Sequence, residues 1–219
     1  MINWKNLLNL FLQSNCPLCQ RSTSQELCPN CVRQLQKCHI YDIGNIGQNP
    51  LPIFAWGVYG GILKRAIAAM KYENQPQIAR CLGQWLGEAW LLHYECDRQL
   101  VVVPIPLHAS KLKQRGYNQA ALIAESFCAT TGLQLKQNGL KRVKETEAQF
   151  SLSASEREKN LTSAFGLGKD FDHRPNASVL IVDDIYTTGA TVKSAIQTLC
   201  KSGIAVSGLA VVATAVKDN

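Results

Sequence analysis

No stretch of the 219 residues is apolar for the roughly 20 positions that a membrane-spanning helix requires. The compact apolar run near the start, Leu7-Leu-Asn-Leu-Phe-Leu12, is interrupted by Asn9, and no small-residue cleavage site follows it. Trp4, Leu7, Leu8, Phe11 and Leu12 instead recur at helical spacing. They are read as one face of a short helix packed on the body of a cytosolic protein. The chain also lacks the Gly-Lys-Ser/Thr of a Walker loop and the GxGxxG of a dinucleotide site, which removes two common nucleotide cradles. Internal repeats and low-complexity tracts are absent as well, which excludes solenoid and compositionally biased architectures. Among four histidines, His93, His108 and His173 have no partner at a telling spacing and are not read as ligands. Acidic residues are outnumbered. The 23 Lys and Arg against 16 Asp and Glu leave a formal charge of +7, which favours an anionic partner, polyphosphate or nucleic acid.

What is present begins with size and cysteine. A chain of 219 residues that is 46% hydrophobic can bury one full α/β core and a small appendage. Four of its nine cysteines form two knuckles, Cys16-Pro-Leu-Cys19 and Cys28-Pro-Asn-Cys31. Two such turns close a tetrahedral thiolate shell around Zn²⁺, and four protein ligands leave no open position, so the site is read as structural. A reducing compartment argues against disulfides, and a redox pair would need one knuckle only. Cys38, Cys81, Cys96, Cys128 and Cys200 stand apart and are read as packed apolar residues.

The strongest single signal is Val179-Leu-Ile-Val-Asp-Asp-Ile-Tyr-Thr-Thr-Gly-Ala-Thr191. Four apolar residues run into two carboxylates and then into a loop of small hydroxyl residues. Val192, Ala195, Ile196, Leu199 and Cys200 continue at helical spacing, and Gly203 can cap the end. The pattern predicts a buried parallel strand, a phosphate-sized loop and a helix N-terminus whose amides suit an anion. Thr187, Thr188 and Thr191 add hydroxyl donors, and Gly189 lets the backbone come close. Asp183 and Asp184 fall at the carboxyl end of the strand, where open α/β sheets bind ligands. Carboxylates beside a phosphate cradle suit a ligand with hydroxyls or an accompanying Mg²⁺, and a sugar phosphate fits both.

Further elements follow from periodicity. A strand is predicted over 54–59, helices over 62–72 and 77–93, and a fully apolar strand over 100–103. Pro104 to Ser110 can continue neither kind of element. Lys111, Lys113 and Arg115 are spaced at two, which places them on a loop or extended segment, with Asn118 capping a helix that runs to Thr131. A short strand near 133–135 and a final strand over 206–215 complete the sheet. Residues 41–52 and 170–176 read as connectors. Residues 141–165 are polar and aperiodic, as in a functional lid.

The motif Val179–Thr191 resembles the phosphoribosyl pyrophosphate (PRPP) signature of type I phosphoribosyltransferases. Arg115-Gly-Tyr-Asn-Gln119, Arg142 with Thr146 and Gln149, Glu156-Arg157 with Asn160, and Phe165 follow in the order seen in the ComF/GntX family. The double CxxC completes that pattern, and the resemblance spans nearly the whole chain. It implies an α/β fold of the type I phosphoribosyltransferase kind, with a parallel sheet and flanking helices over 54–219. A four-cysteine zinc subdomain within 1–40 precedes it.

The resemblance also assigns roles. Asp183 and Asp184 contact the ribose hydroxyls, while Tyr186, Thr187, Thr188, Gly189, Ala190 and Thr191 hold the 5′-phosphate. The segment around Pro106 to Ala109, with Leu107 and His108, corresponds to the pyrophosphate loop and residues 142–149 to a catalytic flap, while Lys111 and Arg115 on the basic segment that follows are read as further PRPP contacts. Catalytic weight falls on Asp183, Asp184, Arg142 and Arg157, with Mg²⁺ accompanying PRPP. One departure is Asn176-Ala177, where the family often has Gly-Lys. A glutaminase half needs a cysteine nucleophile at its mature N-terminus, whereas this chain starts Met1-Ile2, so glutamine amidotransferase activity is not expected.

ComF members are linked to natural competence and DNA uptake, which adds competence proteins and single-stranded DNA as expected partners. Lys113, Arg115, Lys141, Arg142 and Lys144 could track a strand backbone, and Tyr117 or Phe150 could stack on bases. Three activities stand side by side at this point: phosphoribosyl transfer to an acceptor, single-strand binding, and sensing of PRPP.

Overall fold

A computed structural model of the chain describes residues 14–40, 51–94, 100–144, 164–173 and 176–215. The expected N-terminal helix residues (Trp4 to Leu12), residues 41–50 of the first connector and Cys96 lie outside the described residues. So do Thr146, Gln149, Phe150, Glu156, Arg157 and Asn160.

The chain enters through a two-stranded antiparallel hairpin, β1 (Ser14–Asn15) and β2 (Ser22–Thr23), and a helix α1 (Pro29–Gln36). There follow β3 (Ile53–Val58), α2 (Gly61–Tyr72), α3 (Gln77–His93), β4 (Leu100–Pro104), α4 (Ala109–Arg115), α5 (Gln119–Thr131) and β5 (Gln134–Leu135). A second hairpin, β6 (Leu140–Arg142) with β7 (Phe165–Leu167), precedes β8 (Ser178–Tyr186), α6 (Ala190–Lys201) and β9 (Val206–Thr214).

Five of these strands form one sheet in the order β3-β9-β8-β4-β5, every pairing parallel. The chain is thus an α/β protein with a helix-flanked parallel sheet, and the near-unbroken apolar runs of β4 and β8 reflect burial on both faces. One face carries Phe54, Val102, Leu180, Val182 and Ala210 against α2, α3 and α5. The other carries Ala55, Val103, Ile181 and Val211 against α6 and the β6–β7 hairpin. Leu18, Leu27 and Leu35 join the first of these cores, so hydrophobic packing is continuous from the cysteine knuckles into the sheet. The residues after α1 also cover the β3 edge: the Val58 N–H donates to the Cys38 carbonyl at 3.1 Å, and the Ile40 N–H to the Trp56 carbonyl at 2.9 Å. Among the described residues no helix is long and apolar enough to cross a membrane.

Four expectations change. Residues 109–115 are helical rather than extended. Every residue of α4 is at least partly exposed, so two-residue spacing of its cations carried no burial signal. His108 caps its start, with the Ser110 N–H 3.4 Å from Nδ1, and the Lys, Leu, Gln and Arg that fill it are good helix formers. Lys141 and Arg142 belong to a strand, because they pair with Gly166 and Phe165 across sequence that a local reading cannot join. The 170–176 connector begins with a 3₁₀ turn (Lys169–Phe171) that buries Phe171 in the second core. Cys200 is exposed on α6 rather than packed.

Candidate functional site

The four knuckle cysteines converge. Their sulfurs all lie within 4.8 Å of one another, and Cys19 and Cys28 Sγ are 3.5 Å apart. A tetrahedral zinc with Zn–S bonds of about 2.3 Å spaces its sulfurs by about 3.8 Å, so the cluster fits the ion. The thiol chemistry agrees. Burial pushes the Cys16 thiol up, but hydrogen bonds from the backbone of Cys28, Leu18 and Cys19 outweigh it and bring it down to about 6. Cys31 is raised, first by burial and then by the neighbouring sulfurs. Four thiolates crowded this closely ionise together only when a cation joins them. Cys16, Cys19, Cys28 and Cys31 would hold such an ion, and its role there is to fasten β1–β2 to the start of α1.

The second centre lies at the carboxyl edge of the sheet. β8 extends through both aspartates to Tyr186, so Asp183 and Asp184 are part of the strand and not of the loop beyond it. Side chains alternate along a strand. Asp183 therefore has the phase of Val179 and Ile181, and Asp184 that of Leu180 and Val182, the face on which α2 packs. Both are buried, at 9% and 3% exposure. The Asp184 N–H donates to Asp183 Oδ1 at 2.8 Å, and Lys71 Nζ of α2 stands 2.7 Å from Asp184 Oδ2. Burial, and then the charge of Asp184, push Asp183 up to about 8, against the opposing pull of the Asp184 N–H and Lys71.

The loop past Tyr186 turns at Gly189, whose φ of 74° is left-handed and whose missing Cβ would come within 2.7 Å of the Tyr186 hydroxyl. Tyr186 is buried beneath this turn, Thr187 and Thr188 are exposed, and Gly189, Ala190 and Thr191 are partly exposed where α6 begins. The Lys193 N–H donates to the Gly189 carbonyl, which leaves the amides of the first helical turn facing outward.

Its neighbour β4 ends in register, Pro104 beside Val182, and the Ile105 N–H donates to the Val182 carbonyl at 2.9 Å. Pro106, Leu107 and His108 thus leave the sheet at the same edge as the acidic pair, all partly exposed. Asn118 anchors this loop. Its Nδ2 donates to the Ile105 carbonyl at 3.0 Å, while its Oδ1 accepts the Ala120 N–H at 3.1 Å and caps α5.

The remainder of Arg115–Gln119 is a clasp. Arg115 donates to Gln119 Oε1 and lies over the Tyr72 ring at 5.9 Å, and the half-buried Tyr117 donates its hydroxyl to the Met70 carbonyl. Tyr117 is thereby tied to α2 through its hydroxyl. Lys111 and Lys113 are exposed on α4, and because they lie two apart on a helix they face different directions, with Lys111 on the side of Arg115. Arg142 pairs with Phe165 and packs its guanidinium 5.5 Å from that ring; Lys141 and Lys144 are exposed beside it. Arg142 and Phe165, two residues of the family pattern, are thus brought together.

Sequence reasoning missed Lys71. It lies within a helix whose apolar face was evident, and nothing in its spacing distinguishes it from a solvated lysine. A cleft of about 600 Å³ runs from the turn at Tyr186, Thr188 and Gly189 along α6, with Ile53, Val192, Ile196 and Leu209 among its lining and Lys193 as its one cation.

No protein-family model matches the chain. Competence protein F of Haemophilus influenzae is 34% identical over 210 residues, spanning 90% of this chain and 89% of that protein. DNA utilization protein YhgH of Escherichia coli is 30% identical over 199 residues, 87% of this chain and 86% of its own. Competence protein ComFC of Bacillus subtilis is 28% identical over 194 residues, covering 88% and 74%. Likeness at 34% identity over 90% of the chain shows that the chain belongs to the ComF family.

Proposed function

We propose that the chain binds PRPP with Mg²⁺ at the carboxyl edge of its sheet and takes part in competence-linked DNA uptake, with single-strand binding or PRPP sensing as the alternative. The DNA side draws on the relatives, two of which carry competence in their names and one DNA utilization. The ligand side is carried by one observation: two adjacent buried carboxylates stand at the end of a central parallel strand, immediately before a left-handed glycine turn into a helix N-terminus. A ribose 5-phosphate suits this arrangement, with its hydroxyls on Asp183 and Asp184 and its phosphate on the Thr187–Thr191 amides and hydroxyls.

In this reading the Pro106–His108 loop, Lys111 and Arg115 take the pyrophosphate. Mg²⁺, when bound with the ligand, supplies positive charge to the pyrophosphate oxygens. Departure of pyrophosphate from the ribose C1 would spread positive charge over the sugar ring, and the neighbouring carboxylates stabilise that charge electrostatically. The flap role falls to Arg142 and Arg157 on the family resemblance. In a transferase, an acceptor nucleophile takes the place of pyrophosphate at C1; in a sensor, the same pocket couples ligand occupancy to DNA affinity.

Calorimetry with PRPP, with and without Mg²⁺, tests the ligand reading. Saturable Mg²⁺-dependent binding is expected, and Asp183→Ala with Asp184→Ala should weaken it at least about a hundredfold, as loss of two charged contacts implies. Absent binding, or binding indifferent to the double substitution, overturns the reading.

A further inference from the structure

The acidic pair is met from the opposite element by an ammonium. Lys71 Nζ lies 2.7 Å from Asp184 Oδ2, with the two side chains 19% and 5% exposed, so this ion pair is largely withdrawn from solvent. The position of Lys71 is itself controlled. Its preceding residue, Met70, accepts the Tyr117 hydroxyl on its carbonyl, and its following residue, Tyr72, lies under the Arg115 guanidinium. Arg115 is in turn held by Gln119, which is buried at the start of α5. Three elements thus cooperate to hold one lysine against one carboxylate: α2 carries it, the α4–α5 corner pins both its neighbours, and β8 presents the oxygen.

We infer that Lys71 is a positioning residue that serves as the resident counter-cation of the Asp183–Asp184 pair, so that a divalent ion enters this site only together with a polyphosphate ligand. An ammonium already in contact with these buried carboxylates offsets the charge that would otherwise attract a divalent cation. A hydrated metal arriving alone must shed water, displace the ammonium and leave it without an anion. A metal arriving with a polyphosphate brings new negative charge with which Lys71 can pair, so the exchange strands no charge. The inference rests on the PRPP reading for the identity of the polyphosphate, but not for the exclusion of metal from the ligand-free protein.

Mn²⁺ is the probe, its free aquo ion counted by electron paramagnetic resonance in the presence of the zinc-loaded full chain. Wild type is expected to take up Mn²⁺ saturably only when PRPP is added. Lys71→Met should bind Mn²⁺ alone at least about tenfold more tightly than wild type, as removal of an adjacent positive charge implies. Adding Asp184→Asn to that variant should abolish the gain, and Lys71→Arg should restore exclusion, which a purely structural role for Lys71 would not produce. Tyr117→Phe keeps Lys71 but removes the Met70 tie that holds it against Asp184, so the ion pair is loosened, and the variant decides the matter even if the Lys71 variants fail to fold: its Mn²⁺ affinity should rise part-way. Unchanged Mn²⁺ affinity in Lys71→Met, or in a folded Tyr117→Phe, overturns the inference. If wild type takes up no Mn²⁺ even with PRPP, the ligand reading fails, while the metal-only comparison of wild type with Lys71→Met still decides the role of Lys71.

Discussion

Asp183 concentrates the electrostatic tension of the molecule. Its carboxyl moves from an ordinary 3.8 to about 8 through burial and the adjacent Asp184, so the folded chain holds a proton that the unfolded chain releases. A raised folded value contributes stability that is complete below 3.8 and is lost as pH rises through about 8. Asp183→Asn keeps an oxygen for the Asp184 N–H but does not titrate. Urea unfolding across that range should show wild-type stability falling relative to the variant, by up to about 1.4 kcal/mol per pH unit, with the variant the more stable near pH 8. Parallel pH profiles for the two proteins would refute the assignment. Cys81 and Cys128 illustrate the opposite, inert behaviour. Both thiols are pushed up to about 12, Cys128 by burial and Cys81 by burial together with Glu26, as packed residues rather than ligands should be.

Among the elements, α3 and α5 pack closely enough that a Cβ on Gly83 would stand 2.4 Å from the Ile123 carbonyl oxygen, so this glycine is a packing requirement between helices. The knuckle unit depends on a different device. Its hairpin strands are two residues each, and such a unit does not persist without a staple. Metal analysis should find one zinc per chain, and Cys28→Ala should lose it. Loss of the ion should also free Leu18, Leu27 and Leu35, each of which contributes about 1.5–3 kcal/mol when fully buried. Thermal melting of Cys28→Ala should therefore show a lowered midpoint, with the parallel-sheet circular dichroism retained below it; an unchanged midpoint would remove the structural role. The β6–β7 hairpin works as a stem: the Val143 N–H donates to the Ala164 carbonyl at 2.8 Å, tying together both ends of segment 145–163.

Across the whole molecule, the formal charge of +7 is carried partly by exposed Lys111, Lys113, Lys141 and Lys144. If these residues engage a single strand, the logarithm of affinity should fall linearly with the logarithm of salt concentration, by about 0.7 per phosphate contacted. Fluorescence anisotropy with a labelled oligonucleotide should show that slope, and Lys111→Ala with Lys113→Ala should reduce it by about 1.4. A flat salt response would exclude this mode of binding.

The amino-acid sequence by itself determined what depends on neighbours along the chain. The two knuckles, the strand-loop-helix from Val179, the Asn118 cap and the helix over 77–93 were all legible there, because apolar period, capping and ligand spacing are local properties. It determined where the carboxylates lie, but not that β8 runs through them to Tyr186. Tertiary structure alone decided which charges meet. Lys71 reaches Asp184 because α2 packs on the face to which strand alternation directs that side chain, and Tyr117 reaches Met70 because α5 begins beside the end of α2. Those partners lie far apart in the chain, and a lysine at a helix end bears no mark of the carboxylate it will neutralise. α4 escaped the local reading for the complementary reason: an exposed helix buries no face, so no apolar period records it.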